Sequence, residues 1–384
     1  MEIRVFDMQL EPLGIADEIG SLVWTSRYFD FGEFTMVAPV TELNNAILKE
    51  GNIIVKHDER NEIKDASGAV WRRGAQITYK HITKDIYGAE QMELKGYMIG
   101  SWLRNRCINP KISMDGTNQE IINRMVMQNC GIDADFARRF ERFDMISQED
   151  FGGSSVSYAN ESYINLGDEV KARAQAGKLG YEILVNERTR RYGFYLYKGT
   201  DLTSGNNDGN TPCIFSREFE NVRSQEYTSS IENRGTYMYV QGAADENGVR
   251  PYVEIWDMEE RGLNLYEVYC DASDISRQYK VGDVEKTYTD AEYKNMLKSR
   301  GEAELATYGD RISFSSEIST SSNLRYGEDF FLGDRVTCRE NRWGIQIDAR
   351  ITEISEIYQK GMESIEATFG ESMPTLIEKI RKVR

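Results

Sequence analysis

Hydrophobic and polar positions alternate strictly near the C-terminal end of the chain. Ile345, Ile347, Ala349 and Ile351 are separated by Gln346, Asp348 and Arg350. This period of two is that of a strand with one buried face. The alternation then slips by one position, since Ile354 and Ile357 carry the apolar role and Tyr358 follows. Such a slip predicts a β-bulge, and a bulged strand suits a curved sheet or barrel wall better than a parallel core.

Residues 1–95 repeat this pattern in several short runs. The runs are rich in aromatic and β-branched residues and are separated by turn-forming stretches such as DERNE and ASGA. They are IRVFD, SLVWTSRYFDFGEFTMVAP, NIIVKHD, AVWRRGAQITYKHITKD and EQMELKG. Regularly spaced strands with little helix predict a barrel or a sandwich.

From residue 97 the hydrophobic pattern changes to the period of a helix. Residues 97–108 predict a short helix, and Thr117 with Glu120 forms a capping box before an apolar face that ends at Gly131. Residues 132–162 carry few signals and predict a loop-rich segment. The stretch NLGDEVKARAQAGKLG predicts another helix, which ends at Gly177 or Gly180, and YEILVNERTRRYGFYLYKG predicts a hairpin with NERTR at its turn.

Strands return after a polar loop at residues 203–211. The predicted strands are CIFSREF, EYTSSIENR, TYMYVQGAA, PYVEIWDM and LYEVYCDAS, with a hairpin turn at ADENGV. A long helix follows, capped by Thr289 with Glu292 and ended by Gly309. Gly301 in its middle marks a close contact or a break. The last residues, from Pro374, predict a short helix with a basic end.

The composition narrows the class of protein. The 384 residues have a mean hydropathy of −0.57, and no apolar run approaches the length of a membrane span. The N-terminal stretch MEIRVFDMQL is a charged, alternating strand, so a signal peptide and export by the general secretion route are not expected. The net charge of −16 argues against tight binding of nucleic acid. The negative charge either keeps the protein soluble or forms a surface past which DNA slides, and composition does not distinguish between these two roles.

The chain offers little material for metal chemistry. Its five cysteines lie far apart without a CxxC motif and are expected to be reduced, buried thiols: Cys107, Cys130, Cys213, Cys270 and Cys338. The only histidines are His57 and His81. A calcium site in the polar loop, with Asp201, Asn206, Asn207 and Asp208, lacks the EF-hand spacing and the closing glutamate. No metal site is therefore expected.

No catalytic motif stands out. The phosphate-binding and nucleophile-elbow patterns are absent. Pairs of carboxylates, such as those among Asp257, Glu259 and Glu260 or at Glu353 and Glu356, are expected on solvated faces. Aromatic residues such as Phe29 and Phe31 are expected in the core or in cross-strand pairs. His81 has no local partner. We therefore expect no catalytic, cofactor-binding or metal-binding residue and no enzymatic activity.

Taken together, several stretches resemble one family, the tail-associated baseplate hub proteins of siphophages and related prophages. The stretches are LKGYMIGSWLRNRCI (94–108), IFSREFENVRSQEYTSSIENRGTYMYVQG (214–242), RPYVEIWDMEERGLNLYEVYCDASDIS (250–276), RYGEDFFLGDRVTCRENRWGIQIDARITEISEIYQKG (325–361) and IEATFGESMPTLIEKI (365–380). Their order and spacing agree along nearly the whole chain. Each is a structural signature, such as the Gly333–Asp334 turn, and none is catalytic.

The resemblance implies a mostly β fold with α+β insertions, like the hub of phage T4. It contains two β-barrel domains of the kind that build tail tubes, together with smaller inserted domains. The expected division is a first barrel at 1–96, a helical or α+β insert at 97–212, bridging strands at 213–272, a linker and the long helix at 273–310, and second-barrel strands with a C-terminal helix at 311–384. The bulged strand would be a wall of the second barrel.

The resemblance also implies a function. Three copies would form a ring in the virion, assembled in the bacterial cytoplasm, between the distal tail or tail-tube proteins and a tip or fibre protein, with DNA passing through the channel. Some relatives carry a C-terminal extension that contacts the host or cleaves peptidoglycan, and this chain, which stops at Arg384, is expected to lack that activity.

Two other functions stay open. One is a carbohydrate-binding or cell-wall-degrading tail protein that uses surface aromatic residues and carboxylates, and the other is a relative of a toxin-delivery spike. The basic residues Lys379, Arg381, Lys382 and Arg384 either dock on an acidic partner or form a solvated helix end.

Overall fold

The computed structural model describes residues 2–160, 163–245, 248–256, 261–281, 284–319, 322–359 and 361–370. The predicted C-terminal helix and the carboxylates Asp257, Glu259 and Glu260 lie outside these residues.

Strands dominate the described chain. In the first half they are β1 Glu2–Phe6, β2 Pro12–Ile15, β3 Ser21–Arg27, β4 Glu33–Pro39, β5 Ile53–His57, β6 Glu62–Lys64, β7 Val70–Lys84, β8 Glu90–Met98, β9 Ser113–Gly116, β10 Phe143–Met145, β11 Val156–Ala159, β12 Gly180–Asn186 and β13 Arg191–Tyr197. In the second half they are β14 Asp201–Leu202, β15 Ile214–Ser216, β16 Val222–Ser230, β17 Tyr237–Gly242, β18 Tyr252–Trp256, β19 Glu267–Ala272, β20 Gln278–Val281, β21 Val284–Thr287, β22 Arg311–Ile318, β23 Arg335–Glu340, β24 Ile345–Gln359 and β25 Met362–Gly370.

Helices are fewer. The α-helices are α1 Glu42–Ile47, α2 Asn118–Asn129, α3 Leu166–Gly177 and α4 Asp290–Leu305, and the 3₁₀ helices are Glu59–Asn61, Ile99–Asn105, Phe136–Arg138, Arg217–Phe219 and Gly262–Asn264.

The strands predicted for residues 1–95 are present, and they form an antiparallel sheet. Its order is β2–β1–β5–β7–β8–β4–β3. Alternate residues of these strands, including Leu22, Trp24, Phe34 and Met36, form one hydrophobic core with α1. Helix α1 was not predicted, although Thr41 caps it by accepting a hydrogen bond from the Asn44 N–H.

The opposite face of the same sheet carries the inserted region. Phe6, Ile53 and Val55 contribute to a second core, which also contains α2, α3 and the β12–β13 hairpin. Strand β12 extends the sheet by pairing with β7. Both sides of β1 and β5 are therefore covered, and this explains why β5 begins with three consecutive apolar residues.

Strand β24 joins the two halves of the chain. The first half of β24, residues 345–350, pairs with β23. The second half lies between two other strands: residues 353–359 pair with β3, and the residues from Ile351 onward pair with β25. The register with β25 shifts between Ile351 and Glu353, so the predicted bulge is confirmed. The expectation that this strand is a wall of a second barrel is not confirmed, and its second half also extends the first sheet.

A third core lies inside the C-terminal strands. It contains residues of β15, β22, β23, β24 and β25, with Phe215, Phe314, Phe330 and Phe369 at its centre. Within the described residues the strand pairings contain no closed ring. The fold is thus mostly β, as expected, but the two closed barrels are not found. The domain boundaries stay a prediction.

The helix predictions hold with corrections at the ends. The capping boxes of α2 and α4 are confirmed. The segment at 97–108 is a 3₁₀ helix that begins at Ile99, because Tyr97 and Met98 still belong to β8. Helix α3 ends at Gly177, but the left-handed capping residue is Lys178. Helix α4 ends at Leu305, four residues before Gly309.

Candidate functional site: an acidic aromatic sheet face

Residues 237–272 build a small three-stranded sheet that is separate from the large one. Strand β17 lies in the centre, antiparallel to β18 and parallel to β19, and α4 packs across one face. The residues on that face form a fourth core: Met238, Val240, Ile255, Cys270 and Ala272, with Tyr293, Met296 and Leu297 from α4.

Gly301 allows α4 to lie close to this sheet. A Cβ at this position would be 2.3 Å from both Val240 Cγ2 and Ile255 Cδ1. The close contact proposed from the sequence is confirmed, and the helix continues through it without a break.

The opposite face of the sheet is exposed and is rich in aromatic residues. Tyr252, Trp256 and Tyr269 are 57%, 52% and 54% exposed, and Tyr239 is 37% exposed. We define the aromatic face by its nine residues: Tyr237, Tyr239, Gln241, Tyr252, Glu254, Trp256, Glu267, Tyr269 and Asp271. An exposed set of this size differs from single surface aromatics, which need no explanation.

The register arranges these residues in three rows across the strands. Tyr237 lies between Trp256 and Glu267 in the first row. Tyr239 lies between Glu254 and Tyr269 in the second, and Gln241 lies between Tyr252 and Asp271 in the third. Each row therefore combines aromatic or amide groups with one carboxylate.

Hydrogen bonds hold these side chains in place. The Tyr239 hydroxyl donates to Glu267 Oε1 at 2.9 Å, and the Tyr269 hydroxyl donates to Gln241 Oε1 at 3.2 Å. A hydrogen bond to Glu267 raises the pKa of Tyr239, and one to Glu254 raises the pKa of Tyr237. Both phenols are therefore neutral at physiological pH, and the charge of the face comes from its carboxylates.

The face is acidic. Arg250, at its edge, forms a salt bridge with Asp271. Among the described residues, no cation forms a salt bridge with Glu254 or Glu267. Carboxylates beside aromatic rings attract Lys and Arg side chains, which gain both charge pairing and cation–π contact.

The rings do not lie in one plane. Tyr237 meets Trp256 edge-on, with ring centroids 5.4 Å apart, and is tilted by 57° against Tyr239. Rings tilted in this way offer no single flat surface on which a polymer could stack. Exposed Tyr and Trp residues of this kind are enriched in the energetic centres of protein interfaces.

A second exposed feature is the tip of the β7–β8 hairpin. Every residue from His81 to Gln91 is exposed on both faces, and we call this segment the hairpin arm. Ile86 and Tyr87 at its tip are 91% and 89% exposed. A two-stranded arm with apolar residues at its end is a candidate for contact with another chain.

The structure corrects one prediction about carboxylates. Glu353 is half-buried and forms a salt bridge with Arg27, whereas Glu356 is buried and pairs with Lys56, which is fully buried. The Tyr358 hydroxyl donates to Glu356 Oε2 at 2.9 Å and lies 3.3 Å from Lys56 Nζ. Glu356 is therefore part of a buried ionic cluster that joins β5 to β24, and not of a solvated face.

The remaining candidates from the sequence are dispersed. His57 Nδ1 lies 3.6 Å from Glu187, whereas His81 lies on the hairpin arm. Asp201 forms a salt bridge with Arg335, and the Asn206 side chain donates to carbonyls within its own loop. Four cysteines are buried, but Cys107 is exposed, which corrects the expectation of five buried thiols.

A pattern in the sequence indicates the aromatic face, but the prediction missed it. Over 237–241, 252–256 and 267–271 the alternation places aromatic and acidic residues on one face and aliphatic residues on the other. Phe29 and Phe31 are half-buried, with Phe31 against Tyr97 at 5.6 Å. The expectation of core and cross-strand positions fits these two, but it overlooked the exposed set.

Comparison with known proteins identifies relatives for nearly the whole chain. The family model described as Siphovirus ReqiPepy6 Gp37-like protein matches residues 2–371. No curated protein sequence matches the chain.

Three solved structures share the fold. The 43 kDa tail protein of prophage MuSo2 from Shewanella oneidensis is 11% identical, with a TM-score of 0.55 over 96% of this chain and 98% of that one. The tail protein from Neisseria meningitidis MC58 is 10% identical, with a TM-score of 0.52 over 97% and 96% of the two chains. The prophage tail protein gp18 from Listeria monocytogenes EGD-e is 13% identical, with a TM-score of 0.52 over 100% and 98%. The resemblance to siphophage and prophage tail proteins is confirmed.

In the part of the chain that the structure describes, no helix is long and apolar enough to cross a membrane.

Proposed function

Because the chain belongs to the Siphovirus ReqiPepy6 Gp37-like protein family, we propose that it is a structural tail protein that forms a trimeric baseplate hub at the tip of a phage or prophage tail. The observation that carries this proposal is the fold that the chain shares over nearly the full length of three tail proteins, two of them from prophages. The protein acts in the virion, after assembly in the bacterial cytoplasm, and catalyses no reaction.

The exposed features fit a closed ring. Strands β2 and β16 each pair with one neighbour only within the described residues, so each presents an open edge. The hairpin arm extends beyond its own core and carries Ile86 and Tyr87 at its tip. A neighbouring copy would cover the arm and so remove apolar surface from water.

The charge fits passage of DNA. Each chain carries a net charge of −16, and a ring of three carries three times that charge. Double-stranded DNA bears about one charge per 1.7 Å of its axis, so a basic lumen would hold it and an acidic lumen would let it pass. The partners are the distal tail or tail-tube proteins on one side of the ring and a tip or fibre protein on the other.

Native mass spectrometry at several concentrations tests the assembly. A trimer of 44.1 kDa chains has a mass of about 132 kDa, and we expect this species without a hexamer or dimer. The variant I86D/Y87D should lose the trimer, whereas F136D/L263D, which changes residues of equal exposure elsewhere, should keep it. A stable dimer would contradict the hub. If only a monomer is observed, the protein should be mixed with the distal ring protein and its mass measured again.

The aromatic face supports a second candidate function, binding of a host carbohydrate. Tyr and Trp side chains beside carboxylates can stack on sugars and accept hydrogen bonds from their hydroxyls. A glycan array together with a cell-wall hydrolysis assay separates the two functions. If the protein is only a structural hub, it should bind no glycan on the array and hydrolyse no cell wall. Glycan binding by intact trimers would add a binding role to the structural one.

A further inference from the structure

The aromatic face has the chemistry of a receptor for a basic peptide segment. Its carboxylates Glu254 and Glu267 have no cation partner among the described residues, and the rings of Tyr239, Tyr269 and Trp256 stand exposed beside them. A neutral ligand would use the rings but leave these charges unpaired. A segment with several Lys and Arg residues would use both.

The chain contains such a segment close to where its described residues end. Residues 377–384, IEKIRKVR, carry Lys379, Arg381, Lys382 and Arg384 against the single acidic residue Glu378. Ile377, Ile380 and Val383 recur at intervals of three among these charges. We call residues 377–384 the basic segment.

The strand register places the start of this segment near the aromatic face. Gly370, the last described residue, lies opposite Ser313 on β22. Three residues before Ser313, Asp310 forms a salt bridge with Arg234, which lies three residues before Tyr237 on the aromatic face. The path from Gly370 to Tyr237 through these pairs is roughly 35 Å at most.

The length of the chain after Gly370 decides how the segment can bind. Residues 371–376 separate Gly370 from the basic segment, so in an extended chain Lys379 lies up to about 30 Å and Arg384 up to about 46 Å from Gly370, whereas fourteen helical residues reach only about 21 Å. Since the path of roughly 35 Å through β22 is an upper limit on the direct distance, an extended segment brings Arg381, Lys382 and Arg384 to the face of its own chain. We propose that it does so: residues 377–384 bind the aromatic face, with their cations at Glu254 and Glu267 and their apolar residues against the rings. This proposal goes beyond the hub function and does not depend on ring formation.

The tryptophans of the chain provide a direct test. Trp24, Trp71 and Trp102 are nearly fully buried, whereas Trp256 on the aromatic face and Trp343 are 52% and 50% exposed. In the full-length W343F variant, quenching of fluorescence by acrylamide therefore reports mainly on Trp256. Acrylamide is neutral, so the acidic face does not repel it.

Reversal of the charges on the basic segment should uncover Trp256. In the W343F background we expect K379E/R381E/K382E/R384E to raise the quenching constant by about twofold, since several weak ionic and cation–π contacts are lost together. Addition of 1 M NaCl should have the same effect, because it shortens the screening length to about 3 Å. The matched control K294E/K298E, on the exposed side of α4, should leave quenching unchanged.

Chemical cross-linking tests the pairing of specific residues. A carbodiimide should join Lys379 or Lys382 to Glu254 or Glu267 within one chain, and K379Q/K382Q should abolish these products. Thermal unfolding and circular dichroism establish that each variant keeps its fold.

Three results would overturn the proposal. The first is quenching that responds neither to the charge reversal nor to salt. The second is protection of Trp256 that disappears on dilution, which would assign the segment to a neighbouring copy. The third is protection that requires an added cell-wall oligosaccharide and ignores the basic segment, which would make the face a glycan site. The native mass of the ring is measured separately, so failure here is distinguishable from failure of the hub function.

Discussion

The ring of Tyr28 fills the space that a side chain at position 333 would need. A Cβ at position 333 would lie 2.3 Å from Tyr28 Cε2, and the backbone φ of Gly333 is +98°. Tyr28 is fully buried at the end of β3, and its hydroxyl donates to the carbonyl of Lys178 at 3.0 Å. The Gly333–Asp334 turn, the inserted region and the first sheet therefore meet on one aromatic ring.

Substitution of Gly333 by alanine should destabilise the protein strongly. A left-handed backbone costs about 1–2 kcal/mol for an alanine. The clash with Tyr28 should add about 1–3 kcal/mol, because the ring is enclosed and cannot move aside. We expect the midpoint of urea unfolding, followed by fluorescence, to fall clearly in G333A.

A second glycine separates strain from the clash. Gly344 also has a positive φ, of +67°, but a Cβ there would have nothing within 4 Å. G344A should therefore lose only the backbone contribution of about 1–2 kcal/mol. Equal losses in G333A and G344A would show that the contact with Tyr28 has no role.

The buried ion pair between Lys56 and Glu356 should respond differently to single and double substitution. K56M leaves Glu356 buried without its main partner, and we expect a loss of about 3 kcal/mol in the free energy of unfolding. The double variant K56M/E356L removes both charges and should recover most of this loss. Urea unfolding of the two single variants and the double variant measures the coupling.

The exposed pair Lys84–Glu90 on the hairpin arm is the control, with a distance of 2.9 Å between Nζ and Oε1. K84M should leave the free energy of unfolding nearly unchanged, because both partners are exposed to solvent. If K56M cost no more than K84M, the buried pair would not stabilise the contact between β5 and β24.

Local patterns predicted the elements but not their partners. The alternation at 345–359 predicted both β24 and its bulge, and Thr289 with Glu292 predicted the start of α4, because these signals lie within a few residues. The pairing of Lys56 with Glu356 spans 300 positions. Both residues occupy sequence patterns that fit a solvated position equally well, so no local rule could identify their burial.

The candidate site was less predictable for a similar reason. The period of two at 237–241 and 252–256 indicates two faces of a strand, but it does not indicate which face another element covers. Here α4 covers the aliphatic face, since Gly301 permits close packing, and the aromatic residues stay in solvent. The covered face depends on a helix some 50 residues further along the chain.

The stability of the ionic cluster should depend on pH through Asp58. Burial raises the pKa of this carboxyl, but the neighbouring charges of Lys56 and Arg60 outweigh burial, so the pKa lies below its ordinary value of 3.8. A lowered pKa in the folded state contributes stability above the unfolded value, and this contribution is lost as the pH falls below about 3.8.

The variant D58N tests this dependence. It should be less stable than the wild type by about 1–2 kcal/mol at pH 7, since hydrogen bonds to a charged group are lost. The difference should shrink as the pH falls from 5 to 3 in a series of urea-unfolding experiments. D208N, in an exposed loop, should show no such convergence, and a constant difference for D58N would contradict the role of its charge.

The close packing of α4 on its sheet makes a final prediction about Gly301. In an exposed helix, alanine would be favoured over glycine by about 1 kcal/mol. At Gly301 the added Cβ would meet Val240 Cγ2 and Ile255 Cδ1, both at 2.3 Å. The Ile255 tip can rotate away but the β-branched Val240 cannot, so overpacking of about 1–3 kcal/mol should outweigh the helix preference. We expect G301A to lower the unfolding midpoint and G301A/V240A to restore part of it.

N295A, on the exposed side of the same helix, should be neutral or slightly stabilising. A stabilising G301A would mean that the helix can move away from the sheet, and the aromatic face would then lack the rigid support that its side-chain rows require.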